Sequence, residues 1–570
     1  MQAYANSPQK HRHWLAKLSL ECSSVRCRLQ IVLIATTIWL PVQANGKSVF
    51  VGIDGRAHTS AEIDATITHV MQAAEVPGLA LALINDGKVV YLKAYGVKNM
   101  SPNEPLTVNS VMVAGSLTKV AFAYLVMKLV DDHVIDLDKP VYEYLPRPLS
   151  DYPTWRDIAN DPRSKLITTR MLLSHTAGFN NSRYFDPDHR LVIHFEPGTR
   201  YSYGSEGYSL IQLVVETVTK KSTEELMRQH VFGPLGMTRT SMVWQNAFES
   251  DHANGYDEYG RSLGIQKRQT AQGAGSMQTT LTDYARLTLA VLFGRGLRKQ
   301  THAQMLSAQI PIVSKFEFPP LLPDTTDEYK GIQLSYGLGV GLYHTPHGWA
   351  FFKEGHDEGW RTYVVCHQNQ ATCMVILTNS SNGEGIYSAL LRGLLGDTWN
   401  PIDWEVLTPY DKLPPRKPLS DHTVIQVPPT FLAMLAGRYG TQNDVLTVEA
   451  EGDHLSVVGN SKRKREFFPQ IWTIFFSKDS DETLTFLFDI DTWAFRILRE
   501  VDGKSELIPN LEWAPPALRP IICPGFLCRS GFVAGILSSG WSATPRLWQP
   551  EAIPEIDWFA AASSHSHSSS

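Results

Sequence analysis

Residues 79–98, LALALINDGKVVYLKAYGVK, set two β-rich apolar runs on either side of Asn85-Asp86-Gly87. Asn-Asp-Gly between such runs predicts a β-hairpin. Ser116 to Val130 is an apolar run opened by hydroxyl residues, and it predicts a buried helix starting near Ser116. From about residue 131 to 310, helical segments mix with Pro- and Gly-rich loops. Strand-like runs return at 335–343, 348–353, 360–366 and 373–378, with a further helix near 386–395.

The pattern then changes. Pro401 to Pro429 is rich in proline and reads as a linker, placed over residues 398–430. Residues 431–510 alternate apolar and polar positions (VLTVEA, HLSVV, LTFLF) and predict a small antiparallel β-domain. Residues 511–570 are Pro- and Ser-rich without periodicity, and are expected to form a disordered tail. At the other end, Ile31 to Leu40 is an apolar run about half as long as the ~20 residues a spanning helix needs. Arg28 precedes it and Val42-Gln43-Ala44 follows, so residues 1–44 read as a signal peptide cut after Ala44. The expectation is an exported protein, periplasmic or secreted, with no stable membrane span after cleavage.

Composition narrows the function classes. The 570 residues carry 52 basic and 57 acidic side chains, a formal net charge of −5. That balance lacks the basic excess of a nucleic-acid binder, so no nucleic-acid partner is expected. The six cysteines form no C-x-x-C pair, H-E-x-x-H is absent, and no metal is predicted. Cys366 and Cys373 flank a short loop between two apolar runs. They pair as a disulfide if the strand register is right, and otherwise remain buried thiols.

Candidate chemistry begins at Ser116-Leu117-Thr118-Lys119. On a helix, positions i and i+3 share a face, so the Ser hydroxyl and the Lys amine become neighbours. The apolar residues that follow bury Lys119, and desolvation lowers an ammonium pKa until a neutral amine is available as a base. Alone, S-x-x-K is a weak signal. It is followed in order by Ile167-Thr168-Thr169-Arg170-Met171-Leu172-Leu173-Ser174-His175-Thr176-Ala177-Gly178-Phe179, Pro197-Gly198-Thr199-Arg200-Tyr201-Ser202-Tyr203, Phe232-Gly233-Pro234-Leu235-Gly236-Met237 and Lys353-Glu354-Gly355.

With these motifs the chain resembles the serine β-lactamase and penicillin-binding protein family, specifically the class C β-lactamase-like esterases and peptidases, over about residues 58–397. The resemblance implies an α+β fold: a sandwich of a mostly antiparallel sheet flanked by helices, with a helical subdomain. The β-domain after the linker is similar to the accessory domain on some of these hydrolases. Residue by residue, the likeness implies Ser116 as the acylated nucleophile, Lys119 as the group that takes or relays its proton, and Tyr203 as partner base or acid. A tyrosine titrates near 10, so Tyr203 is expected to lean on cationic Lys119 and Lys353. Lys353 and Gly355 match the family's K-T-G strand, and the oxyanion hole would be the backbone N–H groups of Ser116 and His356. No cofactor is implied. His175 is a landmark of its motif rather than a proton acceptor. No G-x-S-x-G is present, because Tyr203-Gly204-Ser205-Glu206-Gly207 lacks the first glycine.

Two positions depart from the family pattern. Ser205 stands where Y-x-N has its asparagine, and Glu354 stands where K-T-G has its hydroxyl. By likeness both face the substrate, and an ionised Glu354 would repel the carboxylate of a β-lactam. The sequence therefore predicts a serine hydrolase of small ester, amide or peptide substrates with poor β-lactam turnover. A β-lactamase or peptidoglycan D-Ala peptidase, and a non-catalytic cell-wall or partner-binding relative, remain open as alternatives. Oligomeric state is not readable.

Overall fold

The computed structural model describes residues 48–511, apart from 184–185, 187–189, 318–324, 414, 417, 442 and 490–493. The predicted signal peptide, and the predicted tail beyond Leu511, lie outside the described residues. Among those described, no helix is long and apolar enough to cross a membrane.

The frame is one nine-stranded sheet, antiparallel throughout. Helix α1 (Ser60–Ala73) precedes its first three strands, β1 (Gly78–Asn85), β2 (Lys88–Asn99) and β3 (Glu104–Pro105). Helices α2 (Thr118–Asp131), α3 (Ser205–Thr219) and α4 (Leu281–Phe293) come next, and the remaining strands follow them. These are β4 (Ile310–Pro311), β5 (Ser335–Tyr336), β6 (Gly341–Thr345), β7 (Gly348–Asp357), β8 (Trp360–His367) and β9 (Thr372–Thr378). The spatial order is β4-β5-β6-β7-β8-β9-β1-β2-β3, so the chain leaves the sheet after β3, builds the helical part, and returns to fill the other side.

The predicted hairpin is β1–β2, turning on Asp86 (φ 48°) and Gly87 (φ 67°), a primed turn that matches strand twist. Alternation along the strands sends each face to its own core. Ala80, Ala82, Ile84, Val364, Val375 and Leu377 join the cluster holding α2, α3 and α4, while Leu79, Leu81, Leu83, Val365, Met374 and Ile376 join the cluster holding α1. That is the period-2 rule at work on a sheet covered on both sides. Cys366 opposes Cys373 in the β8–β9 register, and a disulfide joins them.

The Pro-rich stretch is not a free connector from its start. Ile402, Trp404 and Leu407 are buried in the α1-side core, because apolar side chains between the prolines find the sheet face. After helix α5 (Pro429–Leu435) the chain forms eight sequentially paired antiparallel strands between Gly437 and Ile508. A Tyr439–Asn510 bridge, with Gly440 N–H to Pro509 O at 2.7 Å and Leu511 N–H to Arg438 O at 2.7 Å, links the first strand to the segment after the last and curls them into a near-closed barrel. Its interior is filled by Leu446, Leu455, Val457, Phe467, Phe475, Leu484 and Ile497, and by Leu432 and Leu435 of α5. Arg261, on a hairpin of the sheet domain, pairs with both Asp257 and Glu500 and ties the barrel to it.

Candidate active site

Ser116 lies on a 3₁₀ turn, Gly115–Leu117, that runs into α2. Gly115 has φ +54°, and a Cβ there would stand 2.8 Å from His356 O and 3.0 Å from His356 N. A Cβ on Gly355 would meet Ala114 O at 2.5 Å and Leu117 N at 3.1 Å. Two glycines thus let the turn carrying Ser116 press its backbone onto β7, which is why G-S and K-x-G both need glycine there.

The i, i+3 spacing delivers what it predicts. Lys119 Nζ is 3.0 Å from Ser116 Oγ and 2.8 Å from Ala274 O, and it is fully buried. Burial, reinforced by the like charge of Lys353, holds Lys119 well below the usual lysine range. A neutral amine beside the hydroxyl is the state a proton acceptor requires.

Tyr203 sits at the mouth of α3. Lys353 Nζ is 4.5 Å and Lys119 Nζ 5.1 Å from its ring centroid, and its hydroxyl interacts with Ser116. The expectation that two lysines ease its ionisation meets a counterweight. Burial, then Glu354 and Glu317, push the Tyr203 phenol well above 10, outweighing its hydrogen bond with Ser116. Those causes hold Tyr203 as a neutral phenol.

The Glu354 carboxylate is engaged within the protein. Its carboxylate forms a buried ion pair with Lys353, and Glu354 is 5% exposed. Burial pulls the Lys353 ammonium down, but Glu354 prevails and holds it above the usual lysine range. Beneath lie Glu317 and Glu405, whose carboxylate oxygens and that of Glu354 fall within 4.8 Å of one another. Burial first, then the charge of Glu354, raises both well above the usual carboxylate range. Glu405 accepts a hydrogen bond of 2.7 Å from Tyr363. Carboxylate oxygens of this kind suit a hard cation by donor type, but the Lys353 ammonium already supplies positive charge beside them.

Ser205 also departs from its expected place. Its hydroxyl donates to Asn181 Oδ1 at 2.9 Å and its N–H to the same atom at 3.2 Å, so it closes the start of α3 and is 1% exposed. The His356 imidazole lies 3.2 Å from Glu384, which also binds Arg361 at 2.7 Å. Burial and Arg361 lower its pKa.

Sequence reasoning missed Glu317 and Glu405. Each comes from a loop remote from every motif, Glu317 being held by its N–H to Trp404 O at 2.9 Å. No local signal marks them; only the tertiary fold brings them beneath Lys353.

The Beta-lactamase family profile matches residues 63–395. Penicillin-binding protein 4 of Amycolatopsis lactamdurans is 26% identical over 402 residues, 67% of this chain and 97% of that protein. Protein flp of Staphylococcus aureus is 25% identical over 221 residues, 36% of this chain, and the match spans only 43% of its length. Among solved structures, the octameric penicillin-binding protein homologue from Pyrococcus abyssi superposes with a TM-score of 0.50 at 20% identity, covering 80% of this chain and 98% of that one. That likeness shows a shared fold. Members of the matched family are serine hydrolases. The chain belongs to the Beta-lactamase family.

Proposed function

We propose that the protein is a serine hydrolase that forms an acyl-enzyme on Ser116 with small neutral or cationic esters and amides, and turns over β-lactams poorly. The observation that carries this reading is the 3.0 Å contact between Ser116 Oγ and the buried Lys119 amine. Lys119 takes the Ser116 proton as Oγ attacks the substrate carbonyl carbon. The resulting oxyanion is received by the backbone N–H groups of Ser116 and His356. Tyr203, a phenol, gives its proton to the departing alkoxide or amine, and the Lys119 ammonium restores it. Water then attacks the ester on Ser116, with the same groups running in reverse.

Substrate preference follows from the cation at Lys353. A free ammonium there would draw a carboxylate; paired with Glu354 it offers little net charge. A peptidoglycan-peptide reading is kept alive by the near full-length likeness to Penicillin-binding protein 4. A substrate panel decides between them: p-nitrophenyl butyrate, a chromogenic cephalosporin and a D-Ala-D-Ala peptide, on wild type and on Ser116→Ala. Ser116-dependent turnover of the butyrate is expected at a kcat/KM at least ~100-fold above the cephalosporin. A preference for cephalosporin or D-Ala peptide would transfer the assignment to the β-lactamase or peptidase class. Activity unchanged in Ser116→Ala would remove the serine mechanism.

A further inference from the structure

We infer that His175 is a positioning residue for Tyr203, its ring and its Nδ1 together fixing the phenol where it can protonate the leaving group; the inference rests on the reading of Tyr203 as that proton donor.

Three contacts converge on this role. His175 Nδ1 accepts the Gly204 N–H at 3.1 Å, gripping the peptide directly after Tyr203. The Ser202 N–H donates to His175 O at 2.7 Å, gripping the Tyr201–Ser202 peptide one residue upstream of it. The imidazole itself lies against the Tyr203 ring, with centroids 4.3 Å apart and planes inclined by 32°. One residue therefore holds the tyrosine from both flanks and from one face. The opposite demand on the ring is charge: the Lys353 ammonium already lies over Tyr203, and an imidazolium beside it would add a further cation to a dry pocket.

The tautomer follows from the bonds. With Nδ1 accepting, the neutral ring carries its proton on Nε2, which is buried and has no hydrogen-bond partner among the described residues. The rings of Tyr208 at 5.3 Å, Tyr336 at 4.9 Å (planes at 68°) and Tyr201 at 6.0 Å between centroids surround the imidazole. Burial, then Lys119 and Lys353, keep the imidazole far below its usual pKa and hence neutral. His175 also adopts φ +55°, a left-handed conformation that brings the ring back over the 202–204 segment. Phenylalanine would stack but offer no acceptor. Asparagine places an oxygen where Nδ1 stands and tolerates positive φ.

A merely structural histidine and a positioning one differ in leaving-group dependence. An alkoxide must be protonated as it departs, whereas p-nitrophenolate leaves without help. The test measures kcat and KM for ethyl butyrate and p-nitrophenyl butyrate on wild type, Tyr203→Phe, His175→Phe and His175→Asn, with active sites counted by fluorophosphonate titration. The expected result is a ~100-fold loss of kcat/KM, which reports the acylation step, on the ethyl ester, with at most ~10-fold on the nitrophenyl ester, in Tyr203→Phe and His175→Phe, and substantial recovery in His175→Asn. If His175→Phe does not fold, His175→Gln, whose acceptor lies one bond too far out, takes its place with the same expectation. Equal losses on both esters in the His175 variants, while Tyr203→Phe still discriminates, would overturn the positioning role alone. Equal losses in Tyr203→Phe would overturn the proton-donor reading and the inference with it.

Discussion

Lys353 and Glu354 are successive residues of one β-strand, and their ammonium and carboxylate nevertheless meet as a buried ion pair. Neighbours on a strand start on opposite faces. The Glu354 side chain lies over Glu405 and Glu317, and the long Lys353 side chain reaches both the Tyr203 ring and this carboxylate. A cation beside the nucleophile thus arrives already neutralised.

The first prediction follows from that pair. A cation and a carboxylate ~4 Å apart attract by about 4 kcal/mol at an effective dielectric near 20. Replacing Glu354 by threonine leaves Lys353 charge unpaired and is expected to raise cephalosporin kcat/KM relative to p-nitrophenyl butyrate by roughly 10–100-fold. An unchanged ratio in Glu354→Thr would show that Lys353 is not what limits β-lactam recognition.

A second concerns pH. Lys119 is held well below the usual lysine range by burial and by Lys353. Catalysis needs the neutral amine, so kcat/KM for a neutral ester should rise with pH along a limb lying well below 10.5, and should already be substantial at neutral pH. Lys119→Arg, which stays protonated, is expected to lose at least ~1,000-fold across the range. A rising limb that persists in Lys119→Arg would assign it to another group.

The carboxyls beneath Lys353 make a third prediction, on stability. Folding raises Glu317 and Glu405 well above 4.5. Between the unfolded value and the folded one, the native state holds protons that the unfolded chain has released. Their contribution is fully present below pH ~4.5 and is lost as pH rises through the folded values. Melting temperature should therefore fall with rising pH more steeply in wild type than in Glu405→Gln, which keeps the hydrogen-bonding shape without the titration. Parallel curves would mean that the cluster is not protonated in the fold.

Much of this was legible in the sequence, for identifiable reasons. The hairpin at Asp86-Gly87, the Ser116–Lys119 spacing and the apolar runs of β8 and β9 are local signals, and local geometry governs all three. Ser205 and Glu354 show where that stops. Their motif positions implied contact with substrate, but Asn181 takes the Ser205 hydroxyl and Lys353 takes Glu354. Both partners are decided by tertiary packing. The Pro-rich stretch misleads for the same reason: proline marks the turns, but Trp404 between them is a core residue that also fixes Glu317.

The Cys366–Cys373 disulfide yields a fourth prediction. Closing so short a loop contributes roughly 2–3 kcal/mol in the chain-entropy model. Cys366→Ala with Cys373→Ala should lower the melting temperature by a few degrees, and dithiothreitol should do the same to wild type alone. Separate alkylated Cys366 and Cys373 peptides from untreated protein would contradict the bridge.

The central claim, that Ser116 is the acylated nucleophile, is tested most directly by mass. Wild type treated with a fluorophosphonate, or with a slowly deacylating ester, should gain one covalent adduct, localised by peptide mapping to the peptide that contains Ser116. Ser116→Ala should gain none under the same conditions. An equal mass increment in Ser116→Ala, or an adduct mapped to another residue of wild type, would contradict the account.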